Sequence, residues 1–183
     1  MEIEARFLNV DVPALVARLH ELEAEDRGEN LLSETIFYDE ALAWERSGRT
    51  LVRVRQSRDG VFVAYKDTAD DTATGTHEVE FAVDDRDAAE KFLALVGLVA
   101  FRRQEKKRHA FRLNGARIDI DTWPGLPPYV EIEGPTEDLL RETVSMLGLD
   151  WGRAEFGNAG LTIEKHYGIP TRKLRVFTFD LVE

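Results

Sequence analysis

A chain of 183 residues, 43% hydrophobic and 32% charged, suffices for one domain with a respectable core. Zero cysteines exclude disulfides, thiolate zinc sites and cysteine nucleophiles, and a net charge of −11 argues against a nucleic-acid surface, which needs a basic footprint. No apolar run approaches a bilayer's thickness and the N-terminus lacks a signal peptide's regions, so a cytoplasmic protein with no membrane partner is expected.

The chain opens on a strand, because residues 2–8 (EIEARFL) alternate charged and apolar with a period of two. Residues 11–25 read as a helix, with Asp11 as cap, Pro13 in the first turn and Leu15, Leu19 and Leu22 as its apolar stripe. Strands follow at about 31–39, 50–57, 60–68 and 75–83, with a hairpin at Gly60. The polar, small-residue stretch 67–75 reads as a mobile hairpin loop. A second helix fits 85–97, with Ala89, Phe92, Leu93 and Val96 on one face. Asn114-Gly115 joins strands at 100–113 and 116–122 through a tight turn, and another strand spans 129–134. Helices at 136–148 and 158–167 end at Gly148 and Gly168. The tail at 172–179 alternates like one more strand. It would extend a sheet within the chain or pair with a second subunit, which leaves a homodimer open. The organisation is α+β, with one domain at 1–169 and a tail at 170–183.

The charged faces of the strands segregate by sign. Glu2, Glu4 and Arg6 share one face; Arg53 and Arg55 oppose Val52 and Val54; Glu78 and Glu80 oppose Val79 and Phe81. Asp119 and Asp121 oppose Ile118 and Ile120, and Glu131 and Glu133 oppose Val130 and Ile132. In the strand 100–113 the apolar Phe101, Phe111 and Leu113 put Arg102, Lys106, Arg108 and Arg112 on the other face. A solvated face mixes Ser, Thr, Lys and Glu; six strands with paired acids or paired bases instead suggest a barrel interior, covered outside by amphipathic helices. Charge on an inward face needs a partner. Divalent cations with oxygen ligands, Mg²⁺ or Mn²⁺, would neutralise the acids, and a polyphosphate would neutralise the bases.

These residues also resemble a family. Glu2-x-Glu4-x-Arg6 is similar to the E-x-E-x-K signature of the CYTH superfamily, the triphosphate tunnel metalloenzymes. LVRVRQ (51–56), the lysine of AYKDT, HEVEF (77–81), EKKRHAF (105–111), IDID (118–121) and GLPPYVEIE (125–133) follow in the family's order. The resemblance spans about residues 2–134 and implies an eight-stranded antiparallel closed β-barrel. It implies metal-dependent chemistry on a small triphosphate, as in tripolyphosphatases, thiamine triphosphatases and class IV adenylyl cyclases. Carried over by position, Glu2, Glu4, Glu131 and Glu133 lead the metal ligands. Glu78 and Glu80 join them as further acids of the lining. Arg6, Arg53, Arg55, Lys66, Lys106, Arg108 and, from the last helix, Lys165 are the phosphate-binding set. Glu4, Lys66, Asp119 and Asp121 are the candidates for catalysis, with either aspartate able to orient the attacking oxygen. Arg6 stands where lysine is commoner, and Gly-Leu-Pro-Pro stands where the family has GLG.

A triphosphatase is the favoured reading, since hydrolysis needs only the charged lining. A class IV adenylyl cyclase, making cyclic AMP and pyrophosphate, is the alternative; a non-catalytic polyphosphate or nucleotide sensor is the third. His77 and His109 fall on apolar-phase faces and read as outer packing; Trp44, Trp123 and Trp151 read as packing or tunnel-mouth walls.

Overall fold

The computed structural model of the protein describes residues 3–68, 76–171 and 173–183, so Glu2 and most of the expected loop at 67–75 lie outside the described residues. Strand β1 (Ile3–Phe7) leads into α1 (Val12–Glu21), which Asp11 caps by accepting from the Ala14 amide and which buries Leu15 and Leu19. Strand β2 (Glu25–Asp39) begins six residues earlier than its pattern predicts. Its polar start is recruited by pairing with β6 (Leu98–Leu113), across a bulge where Gly28 takes φ +76. A short helix that the pattern does not signal, α2 (Ala43–Ser47), follows; Asp39 accepts from its Ala43 and Trp44 amides. Then come β3 (Thr50–Ser57), β4 (Gly60–Thr68), β5 (Thr76–Val83) and α3 (Arg86–Leu95). Beyond β6 lie β7 (Ala116–Thr122), β8 (Tyr129–Gly134), α4 (Glu137–Met146) and α5 (Ala159–Tyr167). Asn114 and Gly115 both have positive φ, 51° and 85°, which a two-residue hairpin turn of this hand requires.

The strands form one sheet in the order β1-β8-β7-β6-β2-β3-β4-β5, antiparallel at every step. The sheet curls, and its convex side is the apolar one, as expected. Ile3, Ala5, Phe111, Ile118, Ile120, Val130 and Ile132 pack against Leu15 and Leu19 of α1 and Leu140, Val144 and Leu147 around α4. Val52, Val54 and Val63 pack under Leu93 of α3. Each such fully buried side chain contributes about 1.5–3 kcal/mol. The stripe expected on the second helix is half right: Ala89 and Leu93 pack, whereas Phe92 and Val96 stay exposed.

The expected closure of the barrel is corrected. Among the described residues β1 and β5 do not pair, so the sheet is a curled, open one. The physical reason is that another segment takes the edge of β1. Arg6 and Glu155 exchange backbone hydrogen bonds of 2.9 and 2.8 Å, and Asn158, the cap of α5, donates to the Gly48 carbonyl across the gap at 3.2 Å. The tail also settles within the chain. Strand β7 pairs with β6 only from Lys107 onward, and β9 (Val176–Phe177) takes the vacant stretch beside it, parallel to β6 at Arg103 and Gln104. Phe177 is buried there, stacked on Trp123 at 5.4 Å. No helix among the described residues is long and apolar enough to cross a membrane.

Candidate active site

The concave face encloses a cavity of about 590 Å³. Among the described residues nine cationic side chains and six carboxylates line it, a local excess of positive charge in a chain of net charge −11. The alternation of each strand produces this lining: with the apolar set committed to the helices outside, the opposite phase must face in.

The β1–β8 register sets Glu4 opposite Glu133 and Arg6 opposite Glu131. Arg6 is 1% exposed and its donors are all engaged: Nε and Nη2 reach Glu131 Oε1 at 3.0 and 2.7 Å, Nη2 also reaches Glu4 at 2.8 Å, and Nη1 meets the Gly157 carbonyl and Thr162 hydroxyl. Arg6, expected to grip phosphate, is placed on the cavity wall as a clamp between two carboxylates. Burial and the neighbouring Glu131 push the Glu4 carboxyl up, against the opposing pull of Arg6 and Lys66.

Arg108 is the hub of the next two strands. It donates twice to Asp121 at 2.7 Å, once to Glu131 at 3.0 Å, and pairs with Asp119 at 2.5 Å. Lys106 adds a 2.6 Å bond to Asp121. Asp119 and Asp121 are thus buried behind the basic wall and hold it. Burial and the adjacent Arg108 push the Lys106 ammonium down, and burial and Arg53 do the same to Arg55. An anion arriving between these strands would relieve both.

On the other side of the curl, Arg53 reaches Glu78 and Glu80 at 3.3 and 3.1 Å, and Lys66 reaches Glu78 at 2.7 Å. Glu78 and Glu80 thus sit with bases at the opposite edge of the sheet from Glu4. Lys165 does not join the site: its side chain is 65% exposed and bound to Glu155. His109 packs outside as expected, on Phe111 and against Asp26. His77 instead reaches the rim of the cavity.

Three lining residues are missing from the sequence expectation. Glu34 sits in an apolar-looking run, LLSETIFYD, yet accepts from Arg55 at 2.8 Å and Gln104 at 2.5 Å at 2% exposure. Arg117 shares the phase of Asp119 and Asp121, a legible signal, and reaches Asp119 at 2.7 Å. Arg49 lies just before β3, outside any alternation.

Burial pushes the Glu34 carboxyl up, but the Arg55 and Arg53 guanidiniums outweigh it and hold it far below the usual carboxylate range. A depressed folded-state value means stability present above the unfolded value of about 4.5 and lost as pH falls through the folded one. Glu34→Gln is expected to cost on the order of 2 kcal/mol at pH 7 by urea unfolding, since Arg55 loses its only carboxylate among the described residues. The gap to the wild type should narrow as pH drops below about 4.5; a gap constant from pH 7 to 3.5 would exclude the ion pairs as its source.

The acids fit a hard divalent cation in kind. Asp119, Glu131, Glu133 and Glu4 lie on three adjacent strands, with Asp119 opposite Glu131 in the β7–β8 register. Asp119 Oδ1 is buried without a hydrogen-bond partner among the described residues, an oxygen free to ligate. Among the described residues no three acids already converge to form a finished metal centre.

The model of the CYTH domain family matches residues 1–147. No curated protein matches the chain. Among solved structures the PH1012 protein of Pyrococcus horikoshii shares the fold with a TM-score of 0.71 at 21% identity, over 85% of this chain and 94% of its own. A Vibrio parahaemolyticus protein, put forward as an adenylate cyclase, has a TM-score of 0.72 at 16% identity, over 89% and 97%. HpAC1 from Hippeastrum, also put forward as an adenylyl cyclase but with a dominant triphosphatase activity, has a TM-score of 0.61 at 16% identity, over 91% and 95%. At these identities the likeness is one of fold.

Proposed function

The chain belongs to the CYTH domain family, and on that premise we propose that it hydrolyses a small triphosphate with the help of Mg²⁺ or Mn²⁺. The observation that carries this reading is the cavity's excess of cations, nine against six carboxylates, inside an acidic protein. Arg53, Arg55, Lys106 and Arg108 face in from β3 and β6 and would hold non-bridging phosphate oxygens, the three arginines as forks and the lysine as a point charge. Glu4, Asp119, Glu131 and Glu133 would hold the divalent ion, which supplies Lewis-acid stabilisation of the developing charge. The protein's own part is positioning and electrostatics. A water oxygen bonds to the terminal phosphorus, the bridging P–O bond breaks, and orthophosphate leaves with diphosphate or its organic ester behind.

Cyclisation of ATP is the second reading. It is favoured by the uncharged part of the wall, where Ile36, Tyr38, Leu51 and Ile163 could seat a base. Incubation with Mg²⁺ or Mn²⁺ and tripolyphosphate, thiamine triphosphate or ATP separates the two. Orthophosphate release is the expected result; cyclic AMP with pyrophosphate would replace hydrolysis by cyclisation. Tight binding without turnover would leave a sensor.

A further inference from the structure

Seven of the nine cations lining the cavity have a carboxylate within salt-bridge distance; Arg102 and Arg49 have none among the described residues. Arg102 is 8% exposed. Its guanidinium is oriented with care but only by neutral acceptors: Nε donates to Gln104 Oε1 at 2.7 Å, Nη1 to the Thr171 carbonyl at 2.6 Å, and the Tyr38 hydroxyl bonds it as well. These contacts hold the group without a direct ion pair; Glu34 and Glu45 act on it only from beyond salt-bridge distance, so an incoming anion would be its first direct counterion among the described residues. Burial pushes the guanidinium down accordingly.

Arg49 stands at the same end of the cavity. The β2–β6 register sets Ile36 against Arg102, and the β2–β3 register sets Phe37 against Val52, so the start of β3 and the residue before it lie beside Tyr38. The N-terminal turn of α5, with Asn158 and Gly160, and Thr171 complete the wall there. Along β6 Arg102 precedes Arg108 by six residues, about 20 Å of strand. That distance separates the Arg102 end from the Arg108–Glu131 cluster.

We propose that Arg102 and Arg49 form a second anion subsite that takes a phosphate group carried by the substrate beyond its triphosphate. The inference rests on the triphosphate reading. The phosphate has two sources, a monoester on the organic part of an organic triphosphate or a distal unit of a longer linear polyphosphate.

Calorimetric binding tests it without requiring turnover. The four ligands are tripolyphosphate, long-chain linear polyphosphate, ATP, and ATP bearing a 3′-phosphate. In the wild type a ligand that reaches the subsite should bind at least about tenfold more tightly than its shorter counterpart. Arg102→Gln should erase that ratio. Arg49→Gln, at an exposed position, should reduce it in the same direction, so a fold defect in the first variant does not protect the proposal. The ATP pair and the polyphosphate pair tell the two sources apart. If both variants weaken all four ligands equally, or none, the subsite is overturned while the triphosphate reading stands. If the wild type binds none of the four, both fall.

Discussion

Glu4→Gln is expected to lower kcat by about 100-fold while the protein stays folded. Glu4 lines the cavity opposite Glu133 and beside Glu131, and its carboxylate is one of the oxygens available to a divalent ion. The amide keeps the size and can still accept from Arg6, but it removes the negative charge that a hard cation requires. Stability should change little, because Arg6 retains its two bonds to Glu131 and Glu4 is partly open to the cavity. The measurement pairs steady-state turnover with a calorimetric Mn²⁺ titration and a thermal melt. Loss of turnover together with weakened Mn²⁺ binding and an unchanged melt is the expected pattern. Near-normal turnover would remove β1 from the metal site.

Arg108→Met has the largest expected effect on the fold itself. One guanidinium neutralises Asp119, Asp121 and Glu131, and the first two are essentially buried. Its removal leaves like charges facing one another out of water, with Lys106 on Asp121, Arg117 shared between Asp119 and Glu133, and Arg6 on Glu131. Breaking a buried ion pair by deleting one partner costs about 3–5 kcal/mol, a large share of a small domain's stability. Arg108→Lys should recover only part of it, since one ammonium cannot reproduce the fork that meets both Asp121 oxygens. Adding Asp121→Asn to Arg108→Met should restore stability relative to Arg108→Met alone. Urea midpoints of the four proteins check this. An Arg108→Met variant as stable as the wild type would show that the cluster is solvated rather than buried.

The two predictions draw on different levels of the molecule. Glu4 was legible from residues 2–8, because a period-two strand states which side chains share a face. The alternation also separated Val52, Val54, Ile118, Ile120, Val130 and Ile132 from the charged set, and the amphipathic helices settled which set lies outside. The Asn114-Gly115 hairpin and the cap Asp11 were equally local. Local chemistry was enough for all of these.

Who meets whom was not local. Arg6 reads as a phosphate ligand, and only the β1–β8 register places it against Glu131, 125 residues away in the chain. In the same way β6 lays Arg108 and Lys106 over Asp121. Glu34, without a charged neighbour two residues along its strand, showed no pairing signal, and its partners arrive from β3 and β6 on either side. The open edge between β1 and β5, filled by Glu155 and Asn158, likewise depends on contacts across the whole curl. The sequence by itself determined the faces, their charge and the family they belong to. The tertiary structure alone decided which carboxylates are spent on holding arginines and which cations remain for a ligand, because ion pairing falls off within a few ångströms and those distances are set by register and curl.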